Sequence, residues 1–172
     1  MFKQCCCCSP GVRGPCGTSL MKLDYRLMHE RDLPQVLAIE RESYSHPWSE
    51  QSFMGCLDGA DECWVLLADG EIAGHLVLKI ILDEGQILNI CVRPGLQGRG
   101  IGAQLMAFAE DRFTVRKVST VFLEVRSSNT PARRLYDSAG YAEIGRRNGY
   151  YPSASGREDA ILMGLQLEVD GT

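Results

Sequence analysis

The chain has 172 residues, 18 Lys and Arg against 22 Asp and Glu, a formal charge of −4 and 45% hydrophobic residues. That length suits one domain with a core that needs no disulfide staples, and the mild acidity argues against direct nucleic-acid binding while leaving a surface for a basic partner. No stretch approaches the ~20 apolar residues of a membrane span, and the N-terminus lacks the continuous apolar core of a signal peptide, so no membrane partner and a cytoplasmic location are expected.

Five of the eight cysteines, Cys5, Cys6, Cys7, Cys8 and Cys16, lie among Gly, Pro and Ser at the start of the chain. Cys5 and Cys8 form a C-x-x-C, but no second pair and no spaced His pair follows, so zinc is weakly supported and no metal is expected. Residues 1–21 read as an open leader and 22–172 as a single domain. A chain begun at Met21 is therefore expected to match the full chain in melting temperature and activity. Melting that is sensitive to a chelator, or an inactive truncation, would revive a zinc site built from Cys5, Cys8 and Cys16. Cys56, Cys63 and Cys91 sit in apolar contexts and read as core residues of a reducing compartment.

Tyr25–Leu27 reads as a strand, and Asp32-Leu33-Pro34 starts a helix with Asp32 as cap and Pro34 in the first turn. Val36, Leu37, Ile39 and Glu40 supply its helical spacing, Ser43–Trp48 breaks it, and Ser49-Glu50-Gln51-Ser52 caps a second short helix. Trp64–Ala68 and Ile72–Leu82 are strands joined by an Asp69-Gly70 hairpin turn, and Asp83-Glu84-Gly85 turns the chain into a third strand, Gln86–Val92. Leu105, Met106, Phe108, Ala109 and Phe113 form a helical stripe, and Val121–Val125 is a buried strand interrupted by Glu124. Ser128-Asn129-Thr130-Pro131 opens a helix that stops at Gly140, and Tyr141–Arg146 and Ala160–Leu167 close the chain as strands. The order predicts a mixed α/β sheet with helices packed on it.

The most informative segment is Asn89–Gly102, where an apolar strand runs through glycines into a helix. Gly98, Gly100 and Gly102 let backbone approach an anion, and the first N–H groups of a helix point at it. The spacing is not G-x-G-x-x-G and there is no G-K-[ST], so neither the dinucleotide fingerprint nor the nucleotide P-loop fits. The pattern Gln97-x-x-Gly100-x-Gly102, with Arg99 as a mobile cation, resembles the pyrophosphate loop of the GCN5-related N-acetyltransferases (GNAT), whose ligand is acetyl-coenzyme A. An ordinary glycine-rich turn is the alternative. Further matches stand in the order of one branch, the RimI ribosomal-protein-alanine N-acetyltransferases: Phe122-Leu123-Glu124-Val125-Arg126, Ser128-Asn129, Leu135-Tyr136, Gly140-Tyr141, Tyr150-Tyr151-Pro152 and Gly156-Arg157-Glu158-Asp159-Ala160. The resemblance covers roughly residues 22–167, and Gly149 looks like an inserted residue.

The resemblance implies the GNAT fold, a mixed and mostly antiparallel sheet flanked by helices. It also implies acetyl transfer from acetyl-coenzyme A to the N-terminal α-amine of a protein, most specifically a ribosomal protein. Ile90, Cys91, Val92, Gln97, Gly98, Arg99, Gly100, Ile101, Gly102, Ala103 and Asn129 are its expected cofactor contacts. Glu124 is then the general base; on bare residues it pairs with Arg126 or Arg93. Tyr136 is the general acid, with core packing as the alternative. Cys91 lines the strand, since nothing near it lowers a thiol pKa for covalent catalysis. His46, Trp48, Tyr150 and Tyr151 flank the acceptor groove, which Asp83, Glu84, Glu158 and Asp159 would bias toward a basic peptide. A lysine or small-amine acetyltransferase and a non-catalytic acetyl-coenzyme A module are the rival functions.

Overall fold

The computed structural model describes residues 21–153 and 156–168. Its elements are β1 (Leu23–Leu27), α1 (Leu33–Ser43), α2 (Glu50–Leu57), β2 (Glu62–Ala68), β3 (Glu71–Ile81), β4 (Glu84–Val92), α3 (Ile101–Val115), β5 (Thr120–Arg126), α4 (Thr130–Ser138), β6 (Ala142–Ser153) and β7 (Gly156–Gln166). Residues 1–20, with their five cysteines and the expected leader, lie outside the described residues. Among the described residues no helix is long and apolar enough to cross a membrane.

Among the described residues seven strands form one sheet in the order β1-β2-β3-β4-β5-β7-β6, in which only the neighbours β4 and β5 run parallel. Two apolar layers cover its faces. One packs α3 and the ring of Tyr136 on the sheet, and the other packs α1 and α2 with Cys56, Cys63 and Cys91, all three buried and free. The β4–β5 ladder ends at Ile87 and Leu123, and the β3–β4 register slips at the same place, where Val77 faces Asn89 but Leu78 faces Ile87. Leu88 is thus the extra residue of a bulge. A bulge bends its strand and stops pairing, so the parallel strands part and leave a cleft between the end of β4 and the end of β5.

Several local signals act as expected. Asp69 and Gly70 both have positive φ in a two-residue hairpin turn. Ser49 accepts the Ser52 N–H at 3.1 Å, and Asn129 accepts the Ala132 N–H at 3.2 Å. After α4 the Tyr141 N–H returns to the Tyr136 carbonyl at 3.0 Å around Gly140, closing the helix end.

Three expectations need correction. Asp32 does not cap α1: a 3-10 turn at Glu30–Asp32 precedes the helix, and the carboxylate faces back to take the Arg26 guanidinium at 2.6 and 2.9 Å and the His29 N–H at 2.8 Å. The turn before β4 is Leu82-Asp83, not 83–85, because Ser119 holds Asp83 through its carbonyl at 2.8 Å and its carboxylate at 3.0 Å, which lets Glu84 join the ladder opposite Thr120. The last two strands are longer than their apolar runs. β6 continues through Tyr150-Tyr151-Pro152 and β7 begins at Gly156, with a bulge between Arg147 and Tyr151. Side chains of β7 replace the missing ladder there: Asp159 accepts the Gly149 N–H at 2.8 Å and Arg157 donates to the Tyr150 carbonyl at 2.8 Å.

The buried Asp32 carboxylate gives a pH-dependent element of stability. Its hydrogen bonds from Arg26, with the His29 N–H, hold its pKa below the usual carboxylate range. A depressed folded pKa contributes stability above the ordinary ~3.9, lost as pH falls through the lower folded value. Asp32→Asn is expected to cost about 2 kcal/mol at pH 7. The gap in melting temperature to the native chain should close below about pH 4.

Candidate active site

Two cavities meet in the cleft. The larger, about 430 Å³, runs from the glycine loop along Ile90, Cys91 and Val92 to Asn129 and α4; the smaller, about 130 Å³, is bounded by the 44–48 loop, the β4 bulge, Leu123–Arg126 and Tyr151. Tyr44, Ile90, Asn129 and Tyr136 line both. The cavities therefore communicate at the open edge of β4.

The larger cavity has the features of an anion cradle. Gly98 and Gly100 have φ of +73° and +79°, the left-handed region open to glycine, and a Cβ at either would meet nothing within 4 Å. Gly100 is the N-cap of α3 and no side chain among the described residues caps the helix, so its first-turn N–H groups face the cavity beside Gly102 and Ala103. Gly102 also lets α4 approach, since a Cβ there would press on Leu135 at 3.3 Å. Gln97 lines the cavity while its amide donates to the Val92 carbonyl at 2.8 Å, fixing the strand-to-loop turn. Two expected contacts do not line it. Arg99 is exposed and the Ile101 side chain is buried in the core, which leaves only the Ile101 backbone for a ligand.

The Cys91 thiol is pushed up to about 11 by burial, which suits a packing residue and not a nucleophile. The Tyr44 hydroxyl donates to the Ile90 carbonyl at 2.8 Å. A residue's N–H and C=O leave an extended strand on the same side, so the Ile90 N–H shares the edge turned to the cleft. Burial raises the pKa of Tyr136 well above the ordinary phenol value and keeps it a neutral donor.

Glu124 lies on the wall of the smaller cavity, a quarter exposed, and pairs with Arg147 of β6 at 3.2 Å. Neither expected partner is available. Arg126 is bonded to Glu158 at 2.7 Å and lies over the Tyr151 ring, and Arg93 pairs with Glu71 and donates to the Ile72 carbonyl. His46, Trp48 and Tyr151 line the smaller cavity. Tyr150 does not: it stands outside, edge-on to Tyr151 with the Arg147 guanidinium 5.3 Å above its ring.

The acidic rim also needs correction. Asp83 and Glu84 sit at the far end of β4 beside Ser119 and Thr120, Glu158 is held by Arg126, and Asp159 by the Gly149 N–H, so none of the four lines either cavity. The acidic, basic and histidine side chains lining the smaller cavity are Glu40, Glu124, His46 and Arg126. Sequence reasoning does not single out Tyr44, Glu40, Asn89 or Arg147. Glu40 alone leaves a signal, an acid on the apolar face of α1.

The acetyltransferase (GNAT) family profile matches residues 25–141. The [ribosomal protein bS18]-alanine N-acetyltransferase of Salmonella typhimurium is 38% identical over 143 residues, 83% of this chain and 97% of that protein. Its Escherichia coli counterpart is 38% identical over 138 residues, 80% of this chain and 93% of that protein. The crystal structure of the ribosomal-protein-S18-alanine N-acetyltransferase from Escherichia coli superposes with a TM-score of 0.82 at 35% identity, covering 87% of this chain and 97% of that one.

Proposed function

Because the chain belongs to the acetyltransferase (GNAT) family, we propose that it moves the acetyl group of acetyl-coenzyme A onto the α-amine of a protein N-terminus, with the N-terminal alanine of ribosomal protein bS18 as acceptor. The observation that carries this is the meeting of two cavities at Tyr44, Ile90, Asn129 and Tyr136, with Glu124 on one side only. The glycine cradle fits a pyrophosphate: its backbone is open, its helix end is uncapped, and its volume lies in the range of small-molecule sites. Acetyl-coenzyme A, bound there, supplies an activated acetyl thioester and a thiol leaving group.

The chain's own residues divide the remaining work. N–H groups of Gly98 to Ala103 take up phosphate charge, and the Asn129 amide, whose oxygen caps α4, keeps its NH₂ for the coenzyme arm. The Ile90 N–H is the donor for negative charge that develops on the acetyl oxygen. Glu124 accepts the proton of the incoming ammonium, directly or through water. A protein α-amine, with a reference pKa near ~8 against ~10.4 for lysine, needs less help to become neutral at pH 7. Tyr136 gives its proton to the leaving sulfur. Its ordinary pKa of ~10 is already above the ~8.5 of a thiol, and burial raises it further, so the transfer must accompany C–S cleavage.

Incubation with acetyl-coenzyme A and peptides bearing the bS18 N-terminus, free or blocked at the α-amine, tests the proposal by mass spectrometry. A single acetyl group on the free α-amine is expected. Acetylation of the blocked peptide at lysine would transfer the chain to the lysine-acetylating reading, and no turnover with tight donor binding would leave a binding module.

Arg147 supplies a second test of the acceptor side. Its guanidinium occupies the carboxylate that an acceptor ammonium approaches, so the two cations compete. Arg147→Met is expected to lower acceptor KM about twofold to fivefold, the worth of a half-exposed ion pair. An unchanged KM would show that the pair opens without cost.

A further inference from the structure

Glu40 of α1 is 1% exposed and His75 of β3 is fully buried, beside Asn89 of β4 at 9%. One carboxylate oxygen takes the Asn89 Nδ2 at 2.5 Å and His75 Nε2 at 3.1 Å; the other takes the Trp48 N–H at 3.3 Å. A carboxylate only accepts, so Asn89 must turn its NH₂ and His75 its Nε2–H toward Glu40. This leaves Asn89 Oδ1 and His75 Nδ1 buried with no partner among the described residues. A buried charge held this way is seldom the most stable choice, and apolar residues of equal volume often stabilise a core more.

Its place in the fold supplies the reason. From Leu88 onward β4 has lost its β5 partner, so apart from the Tyr44 hydroxyl on the Ile90 carbonyl, β3 fixes the backbone that leads to Ile90. We propose that Glu40 is a positioning residue for acetyl transfer: it stands in for the missing strand, holding Asn89 and thereby the Ile90 backbone on one side, and the Trp48 wall of the acceptor cavity on the other. The inference deepens the acetyltransferase reading and rests on it. Glu40 brings the donor edge of β4 and the acceptor wall to a common anchor, so a change there moves the two substrates relative to each other. Such misplacement acts on the chemical step, and a shift of about 1 Å is worth up to a hundredfold in rate.

The test exchanges the charge across the pair. Glu40→Gln is expected to lower kcat on the order of tenfold to a hundredfold while calorimetry finds unchanged affinity for acetyl-coenzyme A. Adding Asn89→Asp moves the carboxylate to the opposite partner, restores a charged hydrogen bond between the two side chains, and should recover most of the lost kcat. All rates are taken below the melting point of the least stable protein. A Glu40→Gln protein that melts earlier but keeps native kcat would overturn the proposal and leave Glu40 structural. A double variant no faster than Glu40→Gln would overturn it as well, and because the comparison needs only these two, it stands even if Asn89→Asp alone does not fold. Failure of the acetyltransferase reading would show separately, as a native chain that acetylates lysine or nothing.

Discussion

A Glu124→Gln protein is expected to bind acetyl-coenzyme A as tightly as the native chain and to transfer the acetyl group about 10²–10⁴ times more slowly. The amide keeps the shape of the carboxylate and loses its ability to take a proton, while the donor cavity, which Glu124 does not line, is untouched. The loss should depend on pH. Below ~8 most of an α-amine is protonated and the reaction needs the base; as pH rises past that value the acceptor arrives neutral and the variant recovers. Tyr136→Phe removes the donor to the sulfur and should slow turnover without this recovery, since no acceptor supplies its proton. If both variants keep native rates across pH, Glu124 and Tyr136 are packing residues. The check is a pH profile of kcat/KM for the two variants against the native chain.

A Gly100→Val protein should fold and lose its donor. A Cβ at Gly100 meets no atom within 4 Å, so the substitution produces no clash in the core. The residue nevertheless sits at φ +79°, where a β-branched side chain is strained by about 1–2 kcal/mol, and the branch would stand over the first N–H groups of α3. Loss of two hydrogen bonds to a charged phosphate corresponds to an affinity decrease on the order of a hundredfold. Calorimetry that finds undiminished affinity in a folded Gly100→Val chain would remove the glycine loop from the donor site.

Much of this site is written in short segments, and those parts are legible without coordinates. The glycine loop, the Ser49 and Asn129 caps and the Asp69-Gly70 turn each depend on neighbours within a few residues, so spacing alone reveals them. Glu124 interrupts an apolar strand and announces itself. Its partner does not: Arg147 reaches it only because β7 threads between β5 and β6, a pairing that no local pattern encodes. The bulge of β6 is hidden for a related reason. Its missing ladder bonds are made by Asp159 and Arg157, charged residues that in a one-dimensional pattern look like the end of a strand. Glu40 shows the same limit from the core side, because an acid on an apolar helix face can be recognised as odd but two of its three donors, His75 and Asn89, come from distant strands.

The communication of the two cavities bears on traffic through the enzyme. On the proposed reading each reactant has its own approach, and among the described residues four line both cavities. The donor can therefore stay seated while the end of a long chain arrives from the other side, and the spent carrier can depart without waiting for the modified chain to leave. Neither visitor has to vacate a shared doorway, so the bulk of polypeptide behind the acceptor's first residue, even a whole ribosomal protein, need not slow the exchange of the small carrier.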